Sequence, residues 1–227
     1  MESLFGLQQG PVQTLPMRQY ETSSAGIGIS NATVADVFLV RKCIRKLNNT
    51  SISLTYVPLH DLTKCKLVVF CDASHSSKSK EISQGGHVIF IADSLGNANI
   101  LRWQSKKISR ICKSTIAAET ISLLEAVETA YFLKLLFEDI TGRSGMDIIC
   151  YSDNKSLVQH LKTTNTVTDF RLRVDISRLR EMLDNGEITD VRWVSTDRKL
   201  ADCLTKSGAS AANLLHVLKT NSISEFW

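Results

Sequence analysis

Residues 66–74 read KLVVFCDAS, in which an unbroken apolar run, Leu67 to Cys71, leads straight into Asp72. A run this short and this apolar reads as a buried strand, and it ends on a carboxylate. DIICYSDN at 147–154 repeats the arrangement and arrives at Asp153. Asp followed by small polar residues is common turn chemistry, which would account for either acid alone. Two buried strands that each deliver a carboxylate point instead to a shared site.

From Lys64 onward the chain alternates cleanly. A strand at 66–72 is followed by the polar loop SHSSKSKEISQ, a strand at 85–93, the turn SLGN and a strand at 99–105. A long helix of about 114–140, ended by Gly142, leads to a strand at 147–152 and a short helix near 154–162. Helical periodicity over 168–184 stops at Gly186, and a fifth strand covers 188–194. The closing segment, 197–220, reads as helix in two pieces, ADCLTK and AANLLHVLKT. Three strands in a meander followed by βα units predict an α/β domain over 63–220. Its five-stranded mixed sheet would be flanked by helices, with 221–227 as a tail.

The chain ahead of it reads differently. All three prolines lie at or before residue 58, and residues 1–31 show no periodicity, which predicts a disordered leader. Residues 32–62 form a helix–strand unit. Asn31 or Thr33 caps a helix to about Leu47, with Val34, Val37, Phe38, Arg41 and Ile44 at helical spacing, and SISLTYV (51–57) is a strand stopped by Pro58.

Composition excludes several classes. With 43% hydrophobic and 22% charged residues in 227, the chain can bury a core, and a net charge of +4 names no partner. The first residues, MESLFGLQQG, lack the pattern of a secretory signal, and no apolar stretch is long enough for a membrane span. An intracellular location without membrane contact is therefore expected. The six cysteines (43, 65, 71, 112, 150, 203) form no CxxC, and the five histidines form no metal-binding pair, so reduced structural thiols are expected.

Two further acids need weighing. On the helix beginning near 114, Glu119 shares the apolar face of Leu123, Ala126, Ala130, Leu133 and Phe137, whereas Glu125 and Glu128 lie opposite. A carboxylate on a buried stripe needs a compensating cation; an acid favoured by the helix dipole is the plainer explanation. Asp202 lies in STDRKLADCLTK (195–206), where Thr196 or Asp197 could cap the last helix and Asp202 could be an ordinary exposed residue. Asp153 could equally be an N-cap.

Taken together, CDAS (71–74), WQSKK (103–107), STIAAE (114–119), YSDN (151–154) and LADCLTK (200–206) resemble the ribonuclease H domain of copia-type retrotransposon Pol polyproteins. The resemblance runs from about Leu67 to Leu218, and residues 33–57 resemble, more weakly, the end of a preceding reverse transcriptase region. It implies a ribonuclease H-like fold and hydrolysis of the RNA strand of RNA–DNA hybrids. Asp72, Glu119, Asp153 and Asp202 would hold two Mg²⁺ ions, with Mn²⁺ as the alternative. Asp72 would bridge both ions, with Glu119 and Asp153 on one and Asp202 on the other. The remainder of a Pol polyprotein is an implied partner. Cellular ribonucleases H often carry a His before the last acid. Here no His lies between Trp193 and Asp202, and Arg198 and Lys199 occupy that loop. A catalytically silent remnant that keeps the fold is the competing expectation.

Independently of the resemblance, the segment between Ser94 and Ala118 holds no acid but carries Arg102, Lys106, Lys107, Arg110 and Lys113. Such a segment suits phosphate contacts along a duplex, although a solvated basic loop gives the same pattern. Trp103 is expected in the core.

Overall fold

The computed structural model describes residues 15–25, 53–76, 83–163 and 167–226, together with single helical positions at 34, 37, 38, 41, 42, 44 and 45. Strands β1 (Lys66–Ser74), β2 (Gln84–Ala92), β3 (Ala98–Lys107), β4 (Asp147–Ser152) and β5 (Asp190–Trp193) form one sheet in the order β3-β2-β1-β4-β5. The first three pair antiparallel, as hairpin-connected strands do, and β1–β4 and β4–β5 pair parallel across helical crossovers. Helices α1 (Gln19–Ala25), α2 (Thr115–Thr141), α3 (Lys155–Lys162), α4 (Phe170–Asp184) and α5 (Ala212–Thr220) cover it. This is the five-stranded mixed sheet of a ribonuclease H-like α/β fold.

The pleat sorts β1 between two cores. Leu67, Val69 and Cys71 pack with Leu123, Ala126 and Ala130 of α2 and with Leu157, Ile176 and Leu179 of α3 and α4. Val68 and Phe70 pack on the opposite face with Leu204, Leu214 and Val217. A strand buried on both faces is continuously apolar, which is why LVVFC carries no alternation. Phe70 stacks on Tyr151 at 5.0 Å between ring centroids, and Phe226 closes edge-on at 4.9 Å.

Helix α2 starts where Ser114 accepts a hydrogen bond from the Ala117 amide and ends at Gly142, whose φ of 65° returns its N–H to the Glu138 carbonyl. Asn154 caps α3 by accepting from Leu157, so Asp153 is not the cap.

Five expectations need correction. Within the segment read as a disordered leader, residues 15–25 are ordered: Leu15 and Met17 are buried in the α5-side core. Ser23 Oγ accepts from Gln84 Nε2 at 3.2 Å. Three or four anchoring residues are too few to give a readable period. The strand read at 51–57 is not a strand over its described residues 53–57. The Asn99 and Asn221 side chains take the backbone hydrogen bonds of Thr55 and Val57 that a neighbouring strand would otherwise take. The piece ADCLTK is a single 3-10 turn at Asp202–Leu204 rather than a helix. Asp197 caps nothing downstream, since α5 begins only after Gly208 (φ 76°) and its N-cap, Ala211, has no capping side chain. The tail is also part of the fold: Ile223 is buried, and the Tyr151 hydroxyl donates to the Phe226 carbonyl at 2.7 Å. The helix read over 31–47 coincides with the helical positions Val34, Val37, Phe38, Arg41 and Ile44. Lys42 and Arg45 are helical as well, and its remaining residues, Cys43 among them, lie outside the described ones. The other five cysteines are buried free thiols, and Trp103 packs against the core.

Buried in β2, His87 faces Arg102 and Lys106 of β3. Burial, then those two cations, hold its imidazole down to about 4. The folded chain therefore binds fewer protons than the unfolded one between about 4 and the ordinary histidine value. Stability from this residue is full above about pH 6.5 and falls as pH drops toward 4, by up to about 1.4 kcal/mol per pH unit. Urea unfolding across pH 4–7 should show that slope, and His87→Gln should flatten it; identical slopes would remove His87 as the source.

Candidate metal centre

Because β1 and β4 run parallel, with Phe70 opposite Tyr151, their C-terminal ends emerge at the same edge of the sheet. Asp72 and Asp153 are carried there together, and open α/β sheets bind ligands at such carboxyl ends. Helix α2 brings the third acid. Ser122 donates to the Asp72 carbonyl at 2.8 Å, and Gly85 lets α2 approach the sheet, since a Cβ there would lie 3.2 Å from Ser122 Oγ. One turn earlier on the same face sits Glu119. Carboxylate oxygens of Asp72, Glu119 and Asp153 all lie within 4.8 Å of one another.

Electrostatics at this edge are unusual. Asp72 is fully buried and Glu119 is 3% exposed. Burial first, and then the adjacent Asp72 carboxylate, push the Glu119 carboxyl up to about 8, against the opposing pull of Lys199. Its Oε2 is buried with no hydrogen-bond partner in the protein. Buried polar atoms are nearly always paired, so an orphaned carboxylate oxygen beside two other acids fits a ligand set for a cation.

The fourth sequence-predicted acid arrives differently. The 3-10 turn bearing Asp202 lies against β2 at Gly86, where a Cβ would come within 2.7 Å of Leu204 Cβ and 2.9 Å of Thr205 Cγ2. Ser105 donates to the Leu204 carbonyl at 2.5 Å and fastens the turn to β3. Asp202 is not within the three-acid group; it joins through two lysines. Lys199 Nζ bonds Asp72, lies 2.7 Å from Asp153 Oδ2 and 3.7 Å from Asp202 Oδ1. Lys206 Nζ bonds Asp202 and lies 3.6 Å from Asp72 Oδ2. Thr205 Oγ1 donates to Asp72 as well. Burial pulls the Lys199 ammonium down, but Asp72 and Asp153 outweigh it and hold it above the ordinary lysine range.

Thr205 and Lys206 are site residues that sequence reasoning does not single out, and it notes Lys199 only as an occupant of the loop where a His often stands. Thr205 and Lys206 sit inside the LADCLTK stretch, but nothing in one sequence says that they reach Asp72. An open cleft of about 720 Å³ fronts the acids, lined among others by His75, Glu119, Asp153, Lys155, Trp193 and Lys199. Lys155 Nζ stands 4.3 Å over the Trp193 ring, whose Nε1 donates to the Asp153 carbonyl.

The five basic residues lie to the side. Lys106 Nζ is 2.6 Å from Glu125 of α2, Arg110 bonds Asp175, and Lys113 is 3.8 Å from Asp169. Arg102 is exposed on β3, and Lys107 ends that strand. None of the five lines the cleft, although the loop carrying Arg110 and Lys113 leads directly into Thr115, which does.

No family model matches the chain. Over 144 residues, 62% of its length, it is 27% identical to the Gag-Pol polyproteins of the Ty1-NL2 and Ty1-DR6 transposons of Saccharomyces cerevisiae, and it spans 8% of their length. Among solved structures it is similar to RNase H1 from the halophilic archaeon Halobacterium salinarum. There the TM-score is 0.47 at 20% identity, over 62% of this chain and 94% of that one. It is also similar to a foamy viral protease-reverse transcriptase solved with an RNA/DNA hybrid, with a TM-score of 0.43 at 10% identity, over 85% of this chain and 27% of that one. Over those 144 residues the chain is thus similar to retrotransposon Gag-Pol polyproteins.

Proposed function

We propose that this chain is a retrotransposon-derived ribonuclease H that hydrolyses the RNA strand of RNA–DNA hybrids with Mg²⁺. The observation that carries the reading is the convergence of Asp72, Glu119 and Asp153, with an unpartnered buried oxygen on Glu119. Hard carboxylate oxygens are the donors that Mg²⁺ or Mn²⁺ takes. Asp72, Glu119 and Asp153, with Asp202 nearby, would hold two ions. Bound there, such ions activate a water and stabilise the leaving oxygen of a phosphodiester.

The protein's own part is placement. β1 and β4 fix two carboxylates on the rigid sheet, and Ser122 locks the α2 turn that bears the third. Thr205 and Lys206 restrain the free side of Asp72. The cleft admits a strand against the acids, and the Lys155–Trp193 pair offers it a cation and a ring face. Arg102, Lys106, Lys107, Arg110 and Lys113 extend a basic flank from the cleft's edge, suited to phosphate contacts that position a duplex without reading its sequence. Hybrid preference would rest on 2′-hydroxyl contacts and duplex shape.

A second reading draws on Lys199. An ammonium among the acids stabilises the fold without metal, as a silent remnant would require.

Cleavage of a labelled hybrid with and without Mg²⁺ separates the two. Cleavage that requires Mg²⁺ and falls more than about 100-fold in Asp72→Asn is expected, a larger loss than an outer partner costs a metal site. Glu125→Gln frees Lys106 but leaves the acids alone, and should retain most of the rate. Wild-type protein inert at every Mg²⁺ concentration would favour the silent remnant.

The basic flank is tested by binding in Ca²⁺. Replacing Lys106 and Lys107 with Ala should weaken hybrid binding and lower its log–log salt slope by up to about one unit for each lysine that neutralises a phosphate. Unchanged affinity and slope would shift the binding surface to Lys155 and the cleft.

A further inference from the structure

We infer that Lys199 is an internal competitor for the metal centre: its ammonium fills the cation position among Asp72, Asp153 and Asp202, and a divalent ion binds only when that side chain swings out. This rests on the metal-centre reading proposed above and adds to it the residue that governs loading.

The geometry is specific. Lys199 Nζ touches Asp72 and Asp153 and stands 3.7 Å from Asp202, while its side chain is only 5% exposed. It thus touches two of the three acids whose oxygens cluster within 4.8 Å. Long lysine side chains keep their heads in water unless paired, so this burial reflects the acids around it. A divalent ion and an ammonium cannot share that space, because like charges a few ångströms apart repel strongly in a buried site.

The ammonium is also an incomplete occupant. It offers three donors, and Glu119 Oε2 remains without a partner. A divalent ion takes six or more oxygens and could recruit Glu119, so the two occupancies differ by the satisfaction of one buried carboxylate. Withdrawal of the lysine needs no backbone change. Its carbonyl accepts from Asn213 Nδ2 at 3.4 Å and its amide donates to the Thr196 carbonyl at 3.4 Å, so the main chain is held. The side chain already lines the open cleft, where its ammonium can be hydrated. Lys206 differs: at 41% exposure it sits on the rim, bonded to Asp202 and away from Asp153.

Two measurements on the full chain test this. Calorimetric titration with Mn²⁺ should show binding at least about tenfold tighter in Lys199→Met than in the wild type, because the variant keeps an unbranched side chain but not the ammonium. In the wild-type protein, amine-selective labelling read by peptide mass spectrometry should find Lys199 protected without metal and several-fold more reactive with Mn²⁺. This second readout holds even if the variant fails to fold without metal. Equal affinity in the two proteins, or Lys199 labelling unmoved at saturating Mn²⁺, overturns the role of Lys199 and leaves the metal centre standing. Absence of Mn²⁺ binding in both proteins overturns the metal centre and the competition together.

Discussion

Carboxylate oxygens of three acids lie within 4.8 Å of one another at one end of a sheet, and nothing in a folded chain brings like charges so close without compensation. Their mutual repulsion, and the dehydration of Asp72 and Glu119, must be offset by a cation or by a proton held on Glu119. In this structure the cation is Lys199, with Lys206 beside it. The surrounding architecture enforces the proximity. Parallel pairing of β1 with β4 brings two strand ends to one edge, the Ser122 bond pins α2, and Gly86 leaves room for the turn of Asp202.

Much of this is legible in the sequence. Uninterrupted apolar runs identify β1 and β4 as doubly buried strands, and their order with the meander and crossovers implies the mixed sheet. Glu119 is readable because it interrupts the apolar stripe of α2. What stays hidden depends on interactions between distant residues. Leu15 and Met17 anchor a segment that looks disordered, because burial against the 200–204 turn leaves no local period. The Asn99 and Asn221 amides stand in for a strand partner at 53–57, which no propensity anticipates. Lys199 is visible as a charge in a loop, but its approach to Asp72, 127 residues earlier, is a tertiary fact.

The basic run shows a different limit. Counting cations between Ser94 and Ala118 registers charge but not pairing. Glu125, Asp175 and Asp169 answer three of the five from helices α2 and α4 and from the α4 cap. The Lys106 and Lys113 pairs are exposed and contribute little to the fold, whereas Arg110 answers a buried carboxylate and is tied to the fold through it.

We propose that the edge formed by Asp72, Glu119 and Asp153 is a divalent-metal centre. Crystals grown or soaked with Mn²⁺ and measured for anomalous scattering test it most directly. The predicted result is an anomalous peak bounded by carboxylate oxygens of those three residues, at about 2.0–2.6 Å, with Lys199 turned toward the cleft. Mn²⁺-saturated crystals with no peak there, and Lys199 still seated between Asp72 and Asp153, would contradict it.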